Sequence, residues 1–248
     1  MVAVIEGIAF LVAVTDDAKL GRLARSIDEL ERPDGFEIAV LERRGATSLA
    51  TAYNELQREA ADWRYKAYVH QDAVVRNRAL IPGVLRIFRR KTVGLIGPAG
   101  CRYLPESGVW WDGSGVFGRV VHLTPRGEET LELEQPNGQF EVVEAVDGLC
   151  MITQHDVPWD EAIGGFHFYD VAQSLRYVLA GYDVVVPRQE EPWFAHDETP
   201  RAVPQSAEYV AARDAFRERY WADRERFQRS RIRRRVRRAA TRVRTLWL

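Results

Sequence analysis

Cysteine is nearly missing: Cys101 and Cys150 are the only two in 248 residues. Two thiols cannot build a disulfide framework or a cysteine-based zinc site, and they fit a reducing compartment. Lysine is as scarce, with only Lys19, Lys66 and Lys91. A genomic base-composition bias is enough to explain that preference for arginine. No apolar run reaches the ~18 residues that a spanning helix requires. The first residues lack a basic segment and carry Glu6 ahead of the main apolar run. They read as a first strand, not a secretion signal, and a cytoplasmic protein is expected. Neither a Walker phosphate loop nor a G-x-S-x-G elbow is present, which removes the corresponding phosphoryl-transfer and serine-hydrolase chemistries.

What is present is ordinary globular material, 46% hydrophobic and 29% charged. The net charge of -1 conceals an asymmetry. Nine of the 35 basic side chains lie from Arg229 onward, where no acid occurs. The rest of the chain holds 26 basic against 36 acidic groups. An acidic body thus carries a basic tail, and partners must be considered for each separately.

The first half alternates between two periods. IAFLVAV, residues 8–14, is a short apolar run. Leu20, Leu23, Ala24, Ile27 and Leu30 then recur at helical spacing until Pro33 and Gly35. FEIAVLE predicts a second strand, Ser48 caps a helix to Ala61, and Lys66–Val75 predicts a third strand with polar residues near its end. A helix over Ala79–Arg90 and the strand TVGLIGPAG complete an α/β pattern. The expected fold is a mixed, mostly parallel sheet flanked by helices. Residues 101–145, rich in Gly and Trp, predict antiparallel ribbons or long loops. A helix over 166–181, the strand YDVVVP and a mixed-charge helix over 206–228 follow.

Ligands of open α/β sheets bind beyond the carboxyl ends of the strands. Thr15, Asp16 and Asp17 end the first strand, Glu42 the second, and His70-Gln71-Asp72 the third. Such oxygen and imidazole groups suit a divalent cation with a nucleoside diphosphate, although solvated strand ends look the same in any such fold.

NELQREAADWRYKAYVHQDAVV, EAVDGLCMIT, WDEAIGGFHFYDVAQSLRYVLAGYDVVVP and PWFAHD occur in that order. From about Leu11 to His196 the chain resembles the bacterial glycosyltransferase-like family of the A-type (GT-A) fold. The similarity is to the subgroup with an HQD form of the Asp-x-Asp element, which includes a streptomycin-biosynthesis protein. The resemblance implies a GT-A domain over 1–200 and a helical extension over 201–248. It implies a nucleotide-sugar donor, with Thr15, Asp16, Glu42, Asn54, Gln71 and Asp72 contacting it. Mn2+ or Mg2+ would be held by Asp72, His70 and His196, and imidazole binds Mn2+ better than Mg2+. Asp170 would be the general base of an inverting transfer to an unknown glycan or small-molecule hydroxyl, with Tyr169 where the family has Glu. A second reading stays open: a glycosyltransferase-like module that binds a nucleotide or glycan without turnover, since the first Asp of Asp-x-Asp and that Glu are both replaced.

Several residues have plainer readings beside these. Asp170 also suits a helix first turn. Asp147-Gly148 reads as a turn, Trp110-Trp111 as core or a sugar platform, and His155 and His167 as structural. In the tail, Ile232, Val236, Ala239, Ala240, Val243 and Trp247 share one helical face among arginines. Such a helix suits an anionic membrane surface and equally suits packing on the acidic body. Nucleic-acid binding is disfavoured because no reader motif accompanies the basic run.

Overall fold

The computed structural model describes residues 4–197 and 206–222. In chain order β1 (Ile5–Val14), α1 (Asp17–Asp28), β2 (Glu37–Arg44), α2 (Leu49–Glu59) and β3 (Trp63–Val69) come first. β4 (Ala73–Val75), α3 (Leu80–Phe88), β5 (Val93–Ile96) and β6 (Ala99–Tyr103) follow. Next are β7 (Ser114–Thr124), β8 (Gly127–Glu132), β9 (Phe140–Val143), β10 (Ala145–Val146) and β11 (Cys150–Thr153). Last come α4 (Tyr169–Leu179), β12 (Asp183–Pro187), β13 (Phe194–His196) and α5 (Ala207–Phe216).

Local rules account for the first helices. The Asp16 carboxylate accepts from the backbone N–H groups of Ala18 and Lys19, at 2.8 and 3.1 Å, and so caps α1. Ser48 caps α2 through Thr51 N–H. Each helix turns an apolar face inward, with Leu23 and Ile27 buried on α1 and Tyr53 and Leu56 on α2.

Among the described residues, thirteen strands form two sheets. The larger has the order β2-β1-β3-β11-β5-β12-β9, the smaller the order β10-β6-β7-β13-β4 with β8 beside β7. β1 runs parallel to β2 and β3, and β12 parallel to β5. β11 is antiparallel to both its neighbours, and β9 to β12. The larger sheet is therefore less parallel than the strand–helix alternation predicts. The reason is β11: the chain returns from the smaller sheet and inserts between β3 and β5 from the opposite direction.

Two segments expected as single strands are each divided between the sheets. Residues 66–75 break at His70-Gln71-Asp72 into β3 and β4, and TVGLIGPAG breaks at Gly97-Pro98 into β5 and β6. In both cases the chain crosses from one sheet to the other between two apolar stretches. The polar interruption in 66–75 is that crossing.

α5 is the described part of the expected 206–228 helix. It continues as one wider turn over Arg217–Trp221. It packs on the body through Tyr209, Phe216 and Tyr220, all buried. The Arg-rich tail beyond residue 222 lies outside the described residues, as does every expectation made for it. Among the described residues no helix is long and apolar enough to cross a membrane.

Candidate active site

The crossing between sheets assembles the site. β3 ends at Val69, and His70 N–H donates to Leu149 O at 3.1 Å. The turn closes when Ala73 N–H donates to His70 O, also at 3.1 Å. β4 then pairs antiparallel with β13 in a register that sets His196 opposite Ala73. Asp197 N–H donates to Asp72 O at 2.8 Å. Strand pairing thus carries His196, more than a hundred residues later in sequence, to the side of Asp72.

The result is a cluster of three half-buried ligand groups. One ligand atom from each of His70, Asp72 and His196 lies within 4.8 Å of the others. His196 Nε2 is 3.4 Å and His70 Nδ1 3.9 Å from Asp72 Oδ1. Atoms that share one cation at ~2.0–2.3 Å sit roughly 3–4.5 Å apart, so these three fit a single ion. Two imidazoles and one carboxylate suit Mn2+ better than Mg2+. Burial alone would raise the Asp72 carboxyl, but the His196 hydrogen bond and the electrostatic influence of His70, His196 and Lys19 hold it well below the usual carboxylate range. The His70 ring is oriented from behind: its Nε2 meets the Tyr169 hydroxyl in a short contact. That leaves Nδ1 on the Asp72 side, the arrangement by which an outer partner fixes a ligating imidazole.

Gln71 faces the other way. Its Oε1 accepts from Thr15 and Asp16 N–H, at 2.8 and 2.9 Å, and its Nε2 donates to Thr15 Oγ1 at 2.7 Å. The middle residue of HQD therefore braces the end of β1 against the 70–72 turn. Glu42 lies in the adjacent strand, exposed, and accepts from Arg44 at 2.9 Å.

Asn54 requires a correction. Expected at the donor, it is buried, and its amide is fully used within the protein. Its N–H groups donate to Trp159 O and Glu161 Oε1 at 3.1 and 2.7 Å, and its carbonyl accepts from Trp159 N–H at 2.8 Å. An amide with both N–H groups engaged has none left for a ligand; Asn54 fastens the segment before α4. Glu161 is held there in turn. Asp160 is taken by Arg219 and Tyr220, so both acids are engaged within the protein.

Asp170 opens α4 and lies on the wall of a cavity of about 160 Å³ that His70 and His196 also line. Burial and the neighbouring Asp147 carboxylate push its carboxyl up to about 7, against the opposing effect of backbone N–H groups of Val171, Asp170 and Gly148. Asp147-Gly148 is a turn, as its sequence suggests, but one that faces the cavity. Asp147 accepts from Trp110 Nε1 at 3.0 Å and from Leu149 N–H at 2.8 Å. Gly148 must lack a side chain, because a Cβ there would lie 2.2 Å from the Tyr169 hydroxyl. Of the tryptophan pair, Trp110 is buried core and Trp111 is half exposed at the rim, near Phe166.

Other groups, in the cavity or beside Asp72 and Asp197, carry weak signals in the sequence. His167 lines the same wall, edge-on to Tyr209 at 5.2 Å. Lys19 donates to Asp72 Oδ2 at 3.2 Å, and Arg22 pairs with Asp197. Their spacing on α1 could have suggested a cationic face turned to the strand ends. Phe168, directly before the Tyr169–Asp170 pair, has φ 59° and ψ 1°, a conformation that costs a bulky residue about 1–2 kcal/mol.

The glycosyltransferase-like family matches residues 9–220. No curated protein gives a significant match. Among solved structures, GalNAc-T7 with UDP, GalNAc and Mn2+ aligns with TM-score 0.59 at 9% identity, over 88% of this chain and 48% of that one. TarS 1–349 from S. aureus, in complex with UDP-GlcNAc, gives 0.46 at 9% identity, over 79% and 60% of the two chains. The mannosyltransferase PcManGT from Pyrobaculum calidifontis, in complex with GDP-Man and Mn2+, gives 0.41 at 13% identity, over 84% and 59%. The chain spans about half the length of the first of these. On a family match that runs over most of its length, and a fold shared with GalNAc-T7, the chain belongs to the glycosyltransferase-like family and has the GT-A fold.

Proposed function

We propose that the protein transfers a sugar from a nucleotide-diphosphate sugar to an acceptor hydroxyl, with inversion and with help from a divalent cation. The observation that carries this is the placement of His70, His196 and Asp170 on the walls of one cavity, with Asp72 beside the two histidines. A leaving-group site and a base site then face the same space. HQD is read as this chain's form of the Asp-x-Asp element.

His70, Asp72 and His196 would hold the cation, with Mn2+ preferred by the donor set. When bound, such an ion neutralises charge on the departing nucleoside diphosphate. Lys19 adds a fixed cation at the same edge. Thr15, Asp16 and Glu42, at the neighbouring strand ends, are the proposed nucleoside contacts, with Gln71 positioning Thr15 and Asp16. Asp170 takes the proton of the acceptor hydroxyl as its oxygen bonds to the anomeric carbon. The bond from that carbon to the diphosphate oxygen breaks, and its electron pair leaves with the nucleoside diphosphate. A carboxylate held near 7 is a stronger base than an ordinary one and is still about half ionised in neutral solution.

The test is donor turnover screened over UDP-, GDP- and dTDP-sugars with Mn2+ or Mg2+, together with nucleoside diphosphate binding. Asp72→Ala should abolish the affinity that Mn2+ adds to the nucleoside diphosphate. Metal-dependent binding that survives in this variant refutes the ligand assignment. Binding without any turnover would leave the non-catalytic module as the reading. We also propose that the full chain binds anionic membrane surfaces from the cytoplasmic side through its Arg-rich tail. It should sediment with anionic liposomes at low salt and release at high salt, and truncation after Gln228 should end this binding without lowering donor turnover. Retention of binding by the truncated chain would refute it.

A further inference from the structure

Phe168 is the only non-glycine residue with positive φ among those described. It precedes α4 and makes no side-chain capping bond, so local chemistry does not explain its conformation. Its surroundings do. The Phe168 ring is buried, 5.0 Å from the Tyr209 ring and stacked on Phe216 at 5.8 Å and 27°. Phe216 stacks in turn on Tyr220 at 5.5 Å. The floor under these rings is Gly108, where a Cβ would lie 2.6 Å from the Phe216 ring and 3.2 Å from that of Phe168. Asp160 pins the clamping helix by accepting from Arg219 Nε at 2.8 Å and from the Tyr220 hydroxyl at 2.7 Å. A strained residue persists only where its surroundings over-determine it, and such residues cluster at working sites. The two residues that follow Phe168 are Tyr169, which orients His70, and Asp170.

We infer that Phe168 and its aromatic clamp from α5, Tyr209 and Phe216, form a positioning unit that holds Asp170 at the cavity wall. The C-terminal helix is thereby a working part of the active site. The consequence for transfer rests on Asp170 being the base; the consequence for the burial of Asp170 does not. Asp147, Tyr53, Tyr169 and Tyr209 act on Asp170 electrostatically, and His70, His167 and His196 share its cavity. None of these groups is altered by the variants below.

The experiment uses the full chain with Phe216→Ala, Phe216→Leu and Phe168→Asn. Asn enters the left-handed region readily but offers no ring to the clamp. Phe216→Ala and Phe168→Asn should each lower kcat by on the order of 10²-fold through misplacement of the base. Mn2+-dependent UDP binding should weaken by at most about tenfold, through Tyr169 behind His70, and KM for the donor should move less than kcat, because the three ligands sit on other elements. The pH midpoint of kcat should fall towards the ordinary carboxylate value as water reaches Asp170. Phe216→Leu, which keeps most of the bulk, should restore most of both. Independently of activity, thermal melts of each variant with and without Asp170→Asn read the burial of that carboxyl. In the wild-type background the difference between Asp170 and Asn grows with pH; in Phe216→Ala it should vanish. If Asp170→Asn alone keeps full transfer while Phe216→Ala still erases that difference, the base reading fails and the clamp stands. Folded variants with wild-type kcat and an unchanged pH-dependent difference overturn the proposal. If Phe216→Ala does not fold, Phe168→Asn decides, and failure of both to fold makes the clamp a folding determinant and overturns it as well.

Discussion

Replacing Asp170 by Asn should stabilise the protein in alkaline solution while abolishing its transfer. The carboxyl, half-buried at the cavity wall beside Asp147, is pushed up to about 7, against about 3.9 in an unfolded chain. The sign follows from linkage. A carboxyl raised on folding contributes stability below its unfolded value and loses it as pH rises through its folded value. Asp170 therefore weakens the fold between about pH 4 and pH 7 and by a constant amount above that. At ~1.4 kcal/mol per tenfold change in acidity, the whole loss is on the order of 4 kcal/mol, and roughly 3 of this falls between pH 5 and pH 8. Asn has no such slope. Its hydrogen bonds to the surrounding N–H groups differ from those of the acid, but that difference is the same at both pH values and cancels.

The assay is denaturant or thermal unfolding of both proteins at pH 5 and pH 8. The variant's advantage should grow by about 3 kcal/mol, or roughly 6–12 °C in Tm for a chain of this size. In parallel, transfer should fall by on the order of 10²-fold or more with donor binding retained. An advantage that does not change with pH refutes the burial of Asp170 against Asp147. Near-normal transfer refutes its role as the base. The two halves fail separately, which is their value: a residue can be strained electrostatically without doing chemistry.

Tyr169→Phe removes the hydroxyl behind His70 and should weaken Mn2+ binding by about 10–100-fold, the usual effect of losing a partner behind a ligand, as read by calorimetry. Gly148→Ala places a Cβ 2.2 Å from the Tyr169 hydroxyl; overpacking of this kind should cost about 1–3 kcal/mol in unfolding free energy. Asn54→Ala should lower stability by about 1–3 kcal/mol through the partners it abandons, while the nucleoside diphosphate affinity stays near that of the wild type.

Much of the fold follows from hydrophobic period alone. β1, α1, β2 and α2 each sit within a few residues of where apolar spacing and, for α2, a capping Ser48 put them. The crossings were not legible: neither the polar break at His70-Gln71-Asp72 nor Gly97-Pro98 says whether the chain stays in one sheet or passes into another. The site divides along a similar line. That His70, Asp72 and His196 come together could be expected through resemblance, since each has a recognisable neighbourhood. Asn54 has one too, yet its amide turns to Trp159, and nothing in a helix sequence says which distant backbone an amide will meet. Lys19 and Asp147 act through contacts made only once the sheets are stacked. Phe168 carries no local signal at all: Phe is a poor choice for left-handed backbone, and what makes it tolerable lies some forty residues later on α5.

The candidate metal site is also a property of strand register. His196 reaches Asp72 because β13 pairs with β4 as Phe194 to Val75, Ala195 to Val74 and His196 to Ala73. Side chains alternate between faces along a strand, so a slip of one residue would replace His196 by a neighbour and invert the rest. Ala195 in that place would offer no ligand. Asp197 would set a second carboxylate against Asp72, in place of its present pairing with Arg22. Phe194 and Ala195 are fully buried, and Ala195 is matched to Val121 on the other side by the pairing of β13 with β7. The apolar packing of this three-residue strand thus fixes which polar residue faces the cavity. A substitution that loosens Phe194 should therefore weaken Mn2+-dependent binding without touching a ligand, and unchanged metal affinity in a folded Phe194→Ala variant would show that the ligands themselves hold the register.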